Sequence, residues 1–148
     1  MQILHQTYIK ASPEKVYQTL TTAEGWNTWF TDNTFLHLNE NGEGKITLRW
    51  FNYGVNKENI EDGGDILTAI QNRLFVFQWF PGEGKTTVKF ELKQIKEGTL
   101  LLLEETGYTT SAMDLSACIG CAVGWGEALT LLKMYLEYGI VCKEDYRL

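Results

Sequence analysis

Two segments of the chain alternate between apolar and polar residues with the period of a half-buried strand. In residues 45–51 the side chains of Ile46, Leu48 and Trp50 share one face, and residues 86–96 alternate in the same way. Shorter β-favouring runs bounded by turn residues predict further strands over residues 3–10, 35–38, 65–70, 73–80 and 99–106. Residues 52–64 are polar and predict a long connection. Short turns between successive strands indicate antiparallel pairing.

Helical periodicity is strongest near the end of the chain. The residues Trp125, Leu129, Leu132 and Leu136 fall at i, i+4, i+7 and i+11, which predicts one apolar stripe, and Gly139 is a suitable terminator. Asp114 or Ser116 could cap the start, and the glycines at 120, 124 and 126 predict either a close approach to the sheet or a loose opening turn.

Two short helices are predicted directly after the first strand. Ser12 is a good N-cap and Pro13 suits a first helical position, so one helix begins there. The second covers residues 23–30 and carries Trp26, Trp29 and Phe30. Strands grouped between terminal helices predict an α+β fold, and 148 residues suit a single domain over 1–148.

Charge and composition exclude several classes of function. The formal net charge of −6, without a basic run, argues against nucleic-acid binding. No segment is expected to reach the roughly 18 apolar residues of a membrane span. The first six residues lack the pattern of a signal peptide, and three cysteines do not suggest a disulfide framework, so we expect a cytoplasmic protein.

Few residues have the spacing of reactive or metal-binding groups. Cys118 and Cys121 lack a second ligand pair, so we expect no metal and no cofactor, and we interpret both as small apolar residues. His5 and His37 fit structural or surface roles better than catalysis. Glu104-Glu105 ends an apolar strand. One of the two could point into the concave face, but we favour two solvated carboxylates because an unpaired buried charge is costly.

Two patches of the chain resemble the START-like, or Bet v 1-like, superfamily (SRPBCC). They are similar in particular to its branch named after the activator of Hsp90 ATPase homologue. The residues that carry the resemblance are Ala11-Ser12-Pro13, Val16-Tyr17, Leu20 and Trp29-Phe30 in the first patch, and Gly124-Trp125, Leu129, Leu132, Tyr135-Leu136-Glu137 and Gly139 in the second. The resemblance implies a helix-grip fold, with a curved antiparallel sheet of six or seven strands wrapped around the C-terminal helix. Residues 108–123 depart from the family pattern and could cover the cavity, fill it or extend the helix.

The family implies a cavity between sheet and helix that holds a small hydrophobic or aromatic molecule, such as a lipid, polyketide or flavonoid-like compound. It supplies no catalytic motif to carry over. A cyclase- or hydrolase-type enzyme using the same cavity, and a co-chaperone-like interaction module, remain alternatives. We expect a monomer or weak homodimer. The residues predicted to line the cavity are Trp26, Trp29, Phe30, Leu48, Trp50, Phe77, Trp79, Trp125, Leu129 and Leu132, and the entry route is predicted near residues 26–30 and 52–64.

Overall fold

Seven strands form one curved antiparallel sheet in the computed structural model, which describes residues 1–148. In chain order, β1 to β7 are Gln2–Ile9, Phe35–Leu38, Gly44–Tyr53, Glu58–Ile70, Leu74–Trp79, Thr86–Ile95 and Gly98–Thr106. Across the sheet the order is β1-β7-β6-β5-β4-β3-β2. Every strand except β1 therefore lies beside a chain neighbour, and β1 is added to the far side of β7.

Three α-helices accompany the sheet: α1 is Pro13–Leu20, α2 is Ala23–Trp29 and α3 is Ala112–Tyr138. A 3-10 helix, Lys143–Arg147, follows near the end. Ser12 caps α1 as predicted, because its hydroxyl accepts a hydrogen bond from the Lys15 N–H and Pro13 occupies the first turn. The predicted α+β helix-grip arrangement is confirmed.

The long helix begins earlier than the periodic stripe alone predicts. Its cap is Ser111, whose side chain accepts from the Asp114 N–H, and neither Asp114 nor Ser116 caps it. Asp114 instead accepts from the Thr109 and Glu83 N–H groups, which ties the helix start to the turn after β5. Residues 108–123 were predicted to cover the cavity, fill it or extend the helix. Most of the segment extends the helix, which begins at Ala112. At the other end, Gly139 in the left-handed conformation terminates it (φ 67°).

The core lies between the sheet and the C-terminal half of α3. Trp125, Leu129 and Leu132 are buried, as the predicted stripe requires. They belong to a continuous apolar cluster with buried residues of α1, α2 and the sheet, among them Val16, Leu20, Trp26, Trp29, Phe75, Phe77 and Phe90.

The prediction of a long polar connection over residues 52–64 is wrong. These residues belong mostly to a hairpin in which β3 and β4 pair almost to their tips, with Trp50 opposite Ile60. Arg49 pairs with Glu61 across the strands at 2.6 Å. The hairpin carries exposed residues such as Phe51 and Val55, so its far end lacks the apolar alternation of a half-buried strand and cannot be recognised by it.

The outer face of α3 is unusually apolar. Leu115, Ile119 and Val123 are each at least 48 % exposed, and α3 is long and apolar enough to cross a membrane by length and composition. The expectation that no segment reaches that length is therefore wrong. In this fold the opposite face of α3 buries Trp125 and Leu132 in the apolar cluster, which is the arrangement of a core helix.

Candidate functional site

A cavity of about 360 Å³ opens where the N-terminal half of α3 meets the long hairpin and the end of β5. Its wall carries six aromatic side chains and is built by five parts of the chain. The lining residues are Phe30, Trp50, Tyr53, Ile60, Glu61, Asp62, Trp79, Phe80, Pro81, Gly120, Cys121, Gly124 and Trp125. This volume falls in the range of small-molecule sites.

Four of the ten predicted lining residues lie at this wall: Phe30, Trp50, Trp79 and Trp125. The other six are buried in the apolar cluster beside it, namely Trp26, Trp29, Leu48, Phe77, Leu129 and Leu132. Alternation and helical spacing identify the inward faces of strands and helix. They do not show where those faces are packed and where they leave space. Ligand binding by any of these residues stays a prediction.

The aromatic rings of the wall touch one another and form two groups. The Trp79 and Trp125 rings lie 5.3 Å apart and join sheet to helix. In the second group, Phe30 packs edge-on against Trp50 at 5.2 Å, and Tyr53 contacts both rings within 6.5 Å. These contacts fix the orientation of bulky side chains that have few rotamers, so the wall is largely preformed.

Two glycines of α3 make the helical side of the cavity. Gly120 and Gly124 stand one turn apart, and a Cβ atom added at either would meet no atom within 4 Å. Neither glycine has a positive φ. The predicted reasons for these glycines were close approach to the sheet or a loose first turn, and the space around them and the regular helix support neither. Each lowers helix stability by roughly 1 kcal/mol relative to alanine. The absence of a side chain at each position leaves open space beside the helix.

Behind the aromatic wall lies a fully buried carboxylate, Glu105 (0 % exposed). Its Oε1 accepts hydrogen bonds from Trp79 Nε1–H, the Thr86 hydroxyl and the Tyr108 hydroxyl at 2.7–2.8 Å. Its Oε2 accepts one from Trp125 Nε1–H at 2.7 Å. The favoured prediction of two solvated carboxylates is therefore wrong for Glu105, because four donors compensate its burial. Glu104 points the other way, toward Lys89 at 3.6 Å.

Cys121 lines the cavity and interacts with Tyr108, a member of the Glu105 cluster, which is defined as Glu105 and its four donors. Burial raises the pKa of the Cys121 thiol to about 12, with a further increase from the charge of Glu105 and an opposing effect of the Tyr108 hydroxyl. Burial also raises the pKa of Tyr108 well above its usual value. Both groups are therefore neutral at physiological pH, and of the two only Cys121 is part of the cavity wall.

Asp62 and Glu61 are the charged residues of the lining, and both are acidic. Glu61 is matched by Arg49, whereas Asp62 has no basic partner. Asp62 Oδ1 accepts from the Gly63 and Phe80 N–H groups, and Oδ2 accepts no hydrogen bond. Burial raises the pKa of Asp62 above its ordinary value, the two backbone bonds oppose the shift, and Glu105 adds to it.

The remaining candidate residues lie away from this wall. His5 Nε2 is 3.1 Å from the Ala122 carbonyl oxygen, a structural contact between β1 and α3. Cys118 is buried on α3, and His37 is on the edge strand β2. The structure has no cluster of three or more His, Cys, Asp or Glu side chains suited to a metal ion.

Sequence reasoning missed several wall residues, for two different reasons. Tyr53, Ile60 and Asp62 belong to the hairpin that was interpreted as a connection, although Ile60 and Asp62 share a strand face. Gly120 and Gly124 carry no side chain, so their signal was their i, i+4 spacing in an otherwise apolar helix. That spacing places two gaps on one helix face.

Comparison with known proteins gives a family and a fold. A family model described as activator of Hsp90 ATPase homolog 1-like protein matches residues 10–137. Among solved structures, the Aha1 dimer from Colwellia psychrerythraea is 26% identical, with 94% of this chain and 98% of that chain covered and a TM-score of 0.71. The protein SSP2350 from Staphylococcus saprophyticus is 20% identical over 97% and 96%, with a TM-score of 0.74.

CalU16 from Micromonospora echinospora is 24% identical, with 93% of this chain and 77% of that chain covered and a TM-score of 0.68. No protein of curated function matches the chain.

Proposed function

Because this chain belongs to the family of activator of Hsp90 ATPase homologue 1-like proteins, we propose that it binds a small hydrophobic or aromatic molecule in the cavity beside Trp50 and Trp125. Phe30, Trp50, Trp79 and Trp125 are the predicted lining residues that would contact the ligand directly. The six buried residues behind them would hold those rings in place.

The observation that carries the proposal is the glycine pair of α3. Helix glycines are normally retained where a neighbour comes close or where φ is positive, and neither holds at Gly120 or Gly124. Each nevertheless faces a cavity lined with aromatic rings. A pair of destabilising residues that only preserves space is what a binding site requires and a solid core does not.

Binding fits the wall better than catalysis does. An enzyme of cyclase or hydrolase type would need an acid and a base facing the substrate. Glu105 is already saturated by four donors, and Cys121 with a pKa of about 12 is a poor nucleophile at neutral pH. The lining contains no His or Lys. Asp62 and Glu61 each keep one oxygen atom without a protein donor, but Glu61 is paired with Arg49 through the other.

A second candidate function is that of an interaction module, favoured by the exposed apolar side chains of Leu115, Ile119 and Val123 on α3. We also propose a cytoplasmic location and a monomer or weak homodimer. The Colwellia relative has been solved as a dimer, and sedimentation of this protein over a range of concentrations tests the assembly. A dimer stable at nanomolar concentration would contradict the weak association.

The direct test of binding is a screen of lipids, polyketides and flavonoids by chemical-shift perturbation, with Gly124→Leu as the blocking variant. A leucine at 124 has room to extend into the cavity and favours the helix. Hits should shift the signals of Trp50, Trp79 and Trp125 in the parent protein and not in the variant.

Gly126→Ala is the matched control. Gly126 lies on the same helix outside the lining, and its added Cβ would make only an ordinary contact with His5 at 3.5 Å. The control should bind like the parent. If no compound shifts the wall residues, or if Gly124→Leu binds as well as the parent, the proposed site is wrong.

A further inference from the structure

Building on the proposed function, we infer that the ligand of this cavity is an organic cation, that is, an aromatic or aliphatic molecule that carries an ammonium group. The inference concerns the same site and specifies the charge of its ligand. It rests on the charged groups of the wall and on the rings that surround them.

The charge of the wall is of one sign. Glu61 and Asp62 are lining residues, and no Lys, Arg or His is among them. Glu61 is neutralised locally by Arg49 at 2.6 Å, on the neighbouring strand. Asp62 has only backbone donors, both on Oδ1, so its Oδ2 is left as an acceptor without a donor. Lys85 approaches the wall only at the Phe80 ring, 6.0 Å from its centroid.

The position of Asp62 is unfavourable in the empty protein. It is partly removed from water, and the fully buried Glu105 adds repulsion, which together raise the pKa of Asp62. A ligand ammonium at Oδ2 would supply a charged donor in place of water and a positive charge that the lining lacks. A ligand carboxylate would instead place a third negative group near Asp62 and Glu105. The wall therefore selects against fatty-acid-like anions.

The rings suit the same ligand. Six aromatic side chains line the cavity, three of them tryptophan, which attracts cations most strongly through its face. The two carboxylates, on Glu61 and Asp62 of the hairpin, line the same cavity as these rings. An ammonium held by Asp62 would thus have aromatic neighbours for its apolar remainder. A wall that served only to exclude water would not need acidic residues at its edge.

The test uses three naphthalene probes of nearly equal size and different charge: 2-naphthylmethylammonium, 2-naphthylmethanol and 2-naphthoate. Titration calorimetry at pH 7 gives the affinities, and chemical shifts locate the site. We expect the ammonium to bind at least about tenfold more tightly than the alcohol, the scale of one modest charge-assisted contact, and the carboxylate to bind most weakly.

Asp62→Asn keeps an Oδ1 acceptor for the Gly63 and Phe80 N–H groups and removes the charge. It should lower the affinity for the ammonium to that for the alcohol and leave the alcohol unchanged. Glu91→Gln removes one negative charge outside the cavity lining, where Glu91 pairs with Lys93. It should change none of the three affinities, which separates a local contact from the net charge of the protein.

The outcomes distinguish this inference from the proposed function. Equal affinity for ammonium and alcohol would contradict the inference that the ligand is an organic cation. An Asp62→Asn variant that still prefers the ammonium probe would do the same. Either result leaves the proposal of apolar binding intact. Tighter binding of 2-naphthoate overturns the inference as well. If no probe binds and the wider screen is also negative, both the inference and the proposed function are wrong. A spectrum of Asp62→Asn with native dispersion verifies that the variant is folded.

Discussion

Glu105 and Trp125 join the last strand to the long helix through one hydrogen bond: the indole Nε1–H of Trp125 donates to Glu105 Oε2 at 2.7 Å. The same carboxylate holds Trp79 at the end of β5. Two rings of the cavity wall, on opposite sides of the helix–sheet junction, thus take their orientation from a single buried charge. The Glu105 carboxylate is a structural support for the site, although it is not part of the cavity lining.

Removal of this carboxylate should be strongly destabilising. In Glu105→Ala four donors lose their acceptor, three of them in buried hydrogen bonds. Since each unsatisfied buried donor costs about 1–3 kcal/mol with incomplete additivity, we expect a loss of at least about 3 kcal/mol. Urea denaturation measures it. Glu104→Ala is the neighbouring control: its side chain makes only a surface ion pair, so it should cost less than about 1 kcal/mol. Similar losses for the two variants would contradict the assigned role of Glu105.

Gly124→Ala should stabilise the protein and weaken binding together. Removing a helix glycine contributes about 0.5–1 kcal/mol when the new Cβ meets no obstacle, and the same methyl group reduces the cavity. Thermal unfolding and titration of a ligand found in the screen provide the two measurements. Gly126→Ala should give the stabilisation without the loss of affinity. A destabilised Gly124→Ala would mean that the position is constrained by something other than space.

The buried stripe of α3 predicts a contrast between two apolar truncations on one helix. Leu132 is 0 % exposed, so Leu132→Ala should cost roughly 2–5 kcal/mol. Ile119 lies on the outer face at 60 % exposure, and Ile119→Ala should cost less than about 1 kcal/mol. Chemical denaturation of both variants checks the prediction. A loss below about 1 kcal/mol at Leu132 would show that the cavity reaches further along the helix.

Asp62 should make stability depend on pH in a defined direction. Its pKa is raised in the folded protein, so the folded state binds a proton more tightly than the unfolded chain and the cost of the charge is present in full above that pKa. Asp62→Asn should therefore be more stable than the parent at pH 7. The difference should shrink as pH falls through the raised pKa toward the ordinary value. A difference that is constant with pH would assign the effect to the amide and not to the charge.

Cys121 should resist alkylation although it lines the cavity. With a pKa of about 12, roughly one thiol in 100,000 is ionised at pH 7, and the thiolate is the reactive form. Mass spectrometry after iodoacetamide treatment should find Cys121 unmodified in the folded protein and modified in urea. Rapid labelling of the folded protein at Cys121 would contradict the raised pKa and show that the thiol is less shielded from water than the structure indicates.

The fold was predictable because its signals are local and repeated. Ile46, Leu48 and Trp50 report the inward face of β3 within one short segment, and Trp125, Leu129 and Leu132 do so for α3. The far half of the hairpin was not predictable by this criterion, because residues that extend past the core have no buried face to mark. Backbone pairing such as Trp50 with Ile60 holds them instead.

The site was predictable only in part, since it depends on groups that meet from distant parts of the chain. Alternation indicated that Glu104 or Glu105 points inward. We nevertheless predicted two solvated carboxylates, because burying an unpaired charge is costly. That cost is offset by donors from Trp79, Thr86, Tyr108 and Trp125, and only the three-dimensional arrangement brings those four together. Part of the cavity exists because Gly120 and Gly124 have no side chains to fill it. A pattern of hydrophobic residues does not reveal such a space.

The pairing of β1 with β7 places Gln2 opposite Thr106, so the first strand has no partner until most of the chain exists. Trp26 of α2, which contacts Phe77 and Phe90, is synthesised before them, whereas Trp125, which contacts Phe90, follows β7. Pairing β1 with β7 closes a long loop, which costs conformational entropy. Contacts between residues far apart in the sequence also lower folding rates. We therefore expect late, cooperative folding in which closure of the sheet by β1 and β7 coincides with docking of α3.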